Sequence, residues 1–183
     1  MRVISGTARG KKLGELEGME TRPTTDRVKE GIFNIIQFQV QGAAALDLFA
    51  GTGQLGIECL SRGAEKAVFV EQRKDALTLI RKNLADTRLT ERAQVVSGEA
   101  LSYLATCKQQ FDLVFLDPPY ATNLLENALE KIAAIDILSK AGIIICESRP
   151  EKSLPDVTGS LEKQKEYRYG KIKVTTYRRN DAQ

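Results

Sequence analysis

Beyond residue 43, short apolar runs alternate with stretches in which apolar residues recur every three or four positions. The runs at 44–48, 67–70, 94–96, 111–116 (FDLVFL) and 142–146 (GIIIC) predict strands. Between them, Leu55, Cys59 and Leu60 predict a helix that stops at Gly63, and Leu77, Ile80 and Leu84 a second. Residues 99–107 predict a third, and Leu125, Leu129 and Ile132 place a fourth over 123–134. Near-continuous apolar strands are expected where a parallel sheet is covered on both faces. The alternation therefore predicts an α/β fold, an open and mostly parallel sheet with helices on both faces. Upstream, residues 2–13 break at Gly6 and Gly10 and read as a short strand or hairpin, followed by a loop over 14–22. A helix is predicted beyond Pro23, capped by Thr24 or Thr25, with Val28, Ile32, Ile35 and Ile36 on one face. Near the other end, residues 161–169 and 171–177 flank Gly170. Tyr167 and Tyr169, then Ile172 and Val174, alternate there with charged residues, which predicts an antiparallel hairpin with one wet face. The 150–155 loop is too short for a linker, so residues 1–183 read as one domain, a basic extension over 1–22 and a core over 23–183.

Composition narrows the chemistry. A chain of 183 residues can bury about 70% of its unfolded surface and needs neither disulfides nor a metal to hold a core. No run spans a membrane and no hydrophobic targeting segment follows Arg2, so a soluble cytoplasmic protein is expected. Cys59, Cys107 and Cys146 have no metal-ligand or redox spacing and read as core thiols. The chain has no histidine. That excludes a Ser-His-Asp triad, a Cys-His pair, His-ligated zinc and a His general base. An enzyme built from this chain must use carboxylates, amides, hydroxyls or a cofactor with its own reactivity. The net charge of +3 is uneven: residues 1–12 carry Arg2, Arg9, Lys11 and Lys12 without an acid, residues 161–183 sum to +4, and the middle is acidic. Basic ends suit an anionic partner gripped at the edges.

Four features carry chemistry. In the segment from Asp47 to Gly56 (DLFAGTGQLG), glycines at 51, 53 and 56 follow a strand and open a helix, as in nucleotide-binding loops. Asp47 at the strand tip would repel a pyrophosphate and attract a cation, which favours S-adenosylmethionine over a nicotinamide dinucleotide. Phe49, Ala50, Gly51 and Gly53 fall to the cofactor on this reading. Glu71 closes the next strand, 20 residues after Gly51, where an acid can accept both ribose hydroxyls. Glu99, with the Ala100 backbone, follows the third strand; it either faces the adenine amino group or caps the next helix. The sharpest feature is Asp117-Pro118-Pro119-Tyr120, at the end of the most apolar strand. Two prolines lock the backbone and remove two donors, leaving the Asp117 carboxylate and the Pro118 carbonyl as acceptors. Convergent acceptors suit an exocyclic NH₂ group, and Tyr120 offers a face on which a base can stack.

These features resemble the amino-group methyltransferases that carry a (D/N/S)PP(Y/F/W) tetrapeptide. RVISG at 2–6, RPTTDR at 22–27 with Phe33 and Asn34, LDLFAGTGQLG at 46–56 with Glu58, and FDLVFLDPPY at 111–120 are similar to the RsmD-type methyltransferases. The resemblance runs from Arg2 to the Tyr169-Gly170 hairpin, and the family usually has Asp where this chain has Glu99. It implies a Rossmann-like class I methyltransferase fold with a seven-stranded sheet and a short amino-terminal β extension. It also implies methyl transfer from S-adenosylmethionine to the 2-amino group of a guanine in small-subunit (16S) ribosomal RNA. The substrate would be an assembled or assembling 30S subunit, and the enzyme a monomer without a metal. Asp117, Pro118, Pro119 and Tyr120 would be catalytic, and Arg2, Arg9, Lys11, Lys12 and Arg22 would hold RNA, with Lys171, Lys173, Arg178 and Arg179 in second place. Arg22, Thr24 and Asp26 would close over the methionine end of the cofactor or serve only as cap and loop. A DNA adenine amino-methyltransferase and a non-catalytic RNA-binding module are the alternatives.

Overall fold

Five strands run parallel and form one half of the sheet in a computed structural model that describes residues 1–17 and 25–180. They are β1 (Ala44–Asp47), β2 (Lys66–Glu71), β3 (Ala93–Ser97), β4 (Phe111–Leu116) and β5 (Leu138–Ser148). The second half is antiparallel: β6 (Val157–Thr158), β7 (Leu161–Tyr169) and β8 (Ile172–Arg179). Among the described residues the sheet has eight strands in the order β3-β2-β1-β4-β5-β8-β7-β6. The expected seven become eight because the two-residue β6 pairs on the outer edge of β7. A strand that short has no period to read in sequence.

The helices are α1 (Asp26–Ile35), α2 (Gln54–Ser61), α3 (Lys74–Asp86), α4 (Ala100–Thr106) and α5 (Leu124–Ala134). Thr25 caps α1, its hydroxyl accepting from the Val28 N–H at 3.3 Å. Successive residues of β4 point to opposite faces. Leu113 and Phe115 join a core layer with Ile32, Phe33, Leu60 and Ile80, while Val114 and Leu116 join one with Leu46, Leu104, Leu129 and Tyr177. Each such side chain contributes about 1.5–3 kcal/mol by its burial. This two-sided covering is what the apolar runs predicted. Among the described residues no helix is long and apolar enough to cross a membrane.

The expected amino-terminal β extension reduces to one antiparallel bridge, Arg2 with Lys12. Residues 1–16 form a ribbon laid along α2 instead of a strand. It folds back on itself, the Val3 N–H donating to the Lys11 carbonyl at 2.9 Å and the Leu13 N–H to the Met1 carbonyl at 3.0 Å, and its tip is tied to the helix: the Ile4 and Ser5 N–H groups donate to the two Glu58 carboxylate oxygens at 2.9 and 3.0 Å. The Thr7 N–H donates to the Ser61 carbonyl, and the Ala8 N–H to the Ser61 hydroxyl. Every residue of α2 is consequently buried. On its inner side α2 presses on β2 so closely that a Cβ on Gly56 would lie 2.3 Å from the Phe69 ring.

Glu58 is fully buried, and besides the ribbon it accepts from Arg62 Nε at 2.9 Å and lies 3.8 Å from the equally buried Lys29. Lys29 Nζ donates to the Arg2 carbonyl at 2.6 Å. Burial lowers the Lys29 pKa, and the Glu58 charge opposes that shift. Removing one member of such a group leaves the other charge buried and two N–H groups without their acceptor. Glu58→Ala should therefore cost ~3–5 kcal/mol in urea unfolding. A loss below about 1 kcal/mol would mean that the ribbon and α1 are held without it.

Candidate active site

Parallel strands deliver their carboxyl ends, and the loops that follow, to one rim of the sheet. There a cavity of about 830 Å³ opens, walled by the ends of β1, β2 and β4 and by the loop between β3 and α4. Of the twelve residues assigned to catalysis and cofactor, eleven line it: Asp47, Phe49, Ala50, Gly51, Glu71, Glu99 and Ala100, together with Asp117 through Tyr120. Gly53 does not. It lies beneath the loop with φ +80°, caps α2, and packs against Ile57 and Ile80. Its part is to let the chain turn into the helix, since a side chain at that φ is strained.

The acids are held by the helix starts that follow them. Asp47, 2% exposed, accepts from the Gly56 N–H in the first turn of α2 at 3.1 Å. Burial raises its pKa to about 7, against the pull of the Gly56 hydrogen bond and with a smaller push from Glu71. Glu71 accepts from Gly51 N–H at 2.9 Å with one oxygen and from the Gln72 and Arg73 N–H groups with the other, which ties the glycine loop to the end of β2. Glu99 is the N-cap of α4: it accepts from the Leu101 and Ser102 N–H groups at 3.0 and 2.9 Å and from the Ser102 hydroxyl at 2.8 Å. Those backbone bonds hold its carboxyl below the usual range. The capping alternative is thus the observed one, in a residue that also lines the cavity.

Asp117 is pushed well above the ordinary carboxylate range by burial first, then by the Glu147 and Asp47 charges. Tyr120 stands over the same corner; its hydroxyl donates to Glu147 Oε1 at 3.3 Å, and the Arg149 guanidinium lies 5.4 Å from its ring centroid. The arrangement therefore offers acceptors, the aromatic side chains of Phe49 and Tyr120, and an acidic wall, a setting for a cationic ligand and an amine.

Sequence reasoning passed over Glu147, Arg149 and Gln54. Glu147 closes the apolar run of β5 just as Asp117 follows β4, so the habit of acids at strand ends could have found it. Gln54 begins α2 at the cavity wall, and its Oε1 is buried with no hydrogen-bond partner among the described residues. Met1, Glu15 and Leu16 of the ribbon also reach the cavity. No period in the sequence joins them to it.

The basic residues divide. Arg9, Lys11 and Lys12 are exposed on the ribbon, and Arg2 is exposed but pairs with Asp26 at 3.1 Å. That pair takes Asp26 to the ribbon. Arg22 and Thr24 lie outside the described residues. At the carboxyl end the expectation needs correction. Lys173 is buried, donates to the Lys152 carbonyl and sits 3.5 Å from Glu166. Arg178 donates to the Ala141 carbonyl at 2.8 Å and Arg179 to the Leu138 carbonyl at 3.2 Å. These cations fasten β8 to its neighbours, and of the four Lys171 alone is fully exposed.

A family model described as conserved hypothetical protein 95 matches residues 1–178. The chain is 42% identical over 182 residues to YlbH of Bacillus subtilis, a provisionally assigned rRNA methyltransferase, covering 98% of this chain and 99% of that one. It is 36% identical over 179 residues to ribosomal RNA small subunit methyltransferase D of Escherichia coli K12, covering 98% of this chain and 90% of that one. The solved structure of yhhF from Escherichia coli superposes with a TM-score of 0.87 at 37% identity, over 98% of this chain and 97% of that one.

The raised Asp47 pKa makes stability depend on pH. The folded chain holds this proton to higher pH than the unfolded chain, whose carboxyl titrates near 3.8. The group's stabilising contribution is therefore complete below about pH 4 and is lost as pH rises to about 7. Asp47→Asn keeps the acceptor for Gly56 but cannot ionise. Its stability relative to the wild type should grow between pH 4 and pH 7, by on the order of 3–4 kcal/mol at ~1.4 kcal/mol per unit. Urea unfolding at several pH values measures this, and a difference that stays constant across the range contradicts the assignment.

Proposed function

This chain belongs to the RsmD family of rRNA methyltransferases, and from that premise we propose that it transfers a methyl group from S-adenosylmethionine to the exocyclic 2-amino group of a guanine in small-subunit ribosomal RNA. The observation that carries this reading is one cavity lined both by Asp47 and Glu71 and by the Asp117–Tyr120 corner. We further take the enzyme to act as a monomer in the cytoplasm, on a guanine presented by an assembled or assembling 30S subunit.

The residues present fit the cofactor. The cavity, at about 830 Å³, is within the range of roughly 300–1,000 Å³ that drug-sized ligands occupy. Gln54 Oε1 is a buried acceptor in its wall with no donor among the described residues. Asp47 and Gln54 would hold the cationic methionine end, Glu71 the ribose, and the Gly98 and Ala100 backbone, with Glu99 beside it, the adenine. When bound, S-adenosylmethionine supplies a methyl group already activated by a positively charged sulfur. No strong base, metal or covalent enzyme intermediate is then required.

The chain's own residues orient the acceptor. The Asp117 carboxylate and the Pro118 carbonyl would take the two amino hydrogens and turn the nitrogen lone pair toward the methyl group. The Tyr120 ring would hold the base by stacking, a contribution of about 1–3 kcal/mol per base. Holding two reactants in this way can remove about 7–11 kcal/mol of the barrier. Arg9, Lys11 and Lys12 would grip RNA phosphate, joined by Arg2, whose exposed pair with Asp26 is worth only ~0–1 kcal/mol and is easily exchanged.

Labelled methyl transfer to 30S particles, naked ribosomal RNA and DNA tests the reading. Label is expected in the RNA of the particle, and label in DNA alone would overturn it. Asp117→Ala should lower kcat by at least ~10²–10⁴-fold while calorimetric affinity for the cofactor is unchanged. Near-normal turnover in that variant would remove Asp117 from the mechanism. Reversing Lys11 and Lys12 to Glu should weaken RNA binding and make the log–log salt dependence shallower by about 1–2. An unaltered slope would leave the ribbon as solvated surface.

A further inference from the structure

Arg149 takes no part in the transfer itself, yet it stands in the cavity wall beside the Tyr120 ring. That wall carries the carboxylates of Glu15, Asp47, Glu71, Glu99 and Asp117 and, among the described residues, two cationic side chains, Arg73 and Arg149. Arg73 is paired with Asp75. Arg149 is exposed, and its guanidinium has no ion pair or hydrogen bond among the described residues; it rests 5.4 Å from the centre of the Tyr120 ring.

The side chain is free, but its place is fixed. Arg149 follows β5 directly, and the Lys152 N–H donates to its carbonyl at 3.2 Å, which closes a turn through Pro150. The buried Lys173 of β8 donates to the Lys152 carbonyl and so ties this turn to the sheet. Lys152 Nζ then reaches the loop that follows Tyr120. It donates to the Thr122 carbonyl at 3.1 Å and pairs with Glu126 of α5 at 2.9 Å, while the Thr122 hydroxyl donates to the Pro119 carbonyl at 2.8 Å. One lysine thus joins the turn that carries Arg149 to the loop that carries Tyr120.

Resting on the methyl-transfer reading above, we infer that Arg149 binds a phosphate of the target nucleotide itself, one attached to the guanosine whose base enters the cavity. The charge of the wall divides that nucleotide. Its base is neutral and can enter among the carboxylates with one face on Tyr120. Its phosphates are anions, and the same carboxylates keep them outside, at the mouth. A phosphate held there needs a cation close to the ring on which the base stacks, and Arg149 is placed so. A guanidinium presents a planar fork of donors that matches two phosphate oxygens. At an exposed site its contact with an aromatic face is weak, so turning toward a phosphate costs little. Arg9, Lys11 and Lys12 on the ribbon would hold the strand, and Arg149 the nucleotide that is methylated.

Two small ligands isolate this contact: guanosine and guanosine 3′,5′-bisphosphate, each titrated by NMR into enzyme saturated with S-adenosylhomocysteine. The wild type should bind the bisphosphate about two- to fivefold more tightly, the range of one exposed ion pair, and Arg149→Ala should bind the two alike. Arg149→Lys, which keeps the charge without the fork, should retain part of the preference. On 30S particles Arg149→Ala should raise KM more than it lowers kcat and make the log–log salt dependence of kcat/KM shallower by about 0.7. Equal affinities in the wild type, or no binding of the bisphosphate, overturn the inference, as does an Arg149→Ala variant that keeps both the preference and the salt slope. Weaker calorimetric affinity of Arg149→Ala for S-adenosylhomocysteine with an unaltered slope overturns it too, and gives the guanidinium to the cofactor's carboxylate. The methyltransferase reading survives each of these results; it fails separately, if the wild type transfers label to no RNA.

Discussion

Five strands running the same way send their carboxyl ends to one edge of the sheet, and the rest of the site depends on that direction. Each of the first four is followed by a helix on the same rim, so strand-end acids and helix-start N–H groups meet by construction. Asp47 is held by Gly56, Glu71 by Gln72 and Arg73, and Glu99 by Leu101 and Ser102. Had β4 run antiparallel, Asp117 would emerge on the opposite edge, far from Asp47.

Concentrating carboxylates at one rim has an electrostatic cost. Asp47 and Asp117 are both raised, chiefly by burial, Asp47 then by Glu71 and Asp117 by Glu147 and Asp47. A site of this kind favours a cationic ligand, whose charge relieves the repulsion. It also fits a reaction whose only proton step is acceptance of a weakly held proton. The same fold handles another buried carboxylate differently. Glu58, on α2, is surrounded by Arg62, Lys29 and two backbone donors, and so serves to fasten the ribbon whose Met1 and Leu16 reach the cavity wall.

The parallel half of the sheet was legible because strands covered on both faces must be apolar nearly throughout, as at 111–116 and 142–146. That the Asp117–Tyr120 corner lines the cavity was legible because two prolines after an acid have few uses. Less was legible where a residue's role comes from a distant partner. Lys173 and Arg178 look like solvated cations in an alternating hairpin, yet they are spent on backbone carbonyls of other segments. Residues 2–13 do fold back on themselves as a hairpin, with Val3 donating to Lys11 and Leu13 to Met1, but the donors of its tip go to Glu58 and Ser61 on a helix more than fifty positions away, which the sequence does not show. Glu99 carried two readings, and the structure shows it as the N-cap of α4 and as a residue that also lines the cavity.

By itself, then, the sequence determined the order of elements, the rim of the sheet on which the candidate site residues gather, and the kinds of chemistry possible in a chain without histidine. Those properties are local: they follow from period, from strand-end polarity and from which side chains exist. Only the tertiary structure decided that Glu147 stands beside Asp117 and under Tyr120, that Gln54 leaves an acceptor at the wall, and that the ribbon closes one side of the cavity. Such facts depend on strand register and on which buried polar groups find one another. Register is set by the whole packed sheet, and no window of the chain contains it.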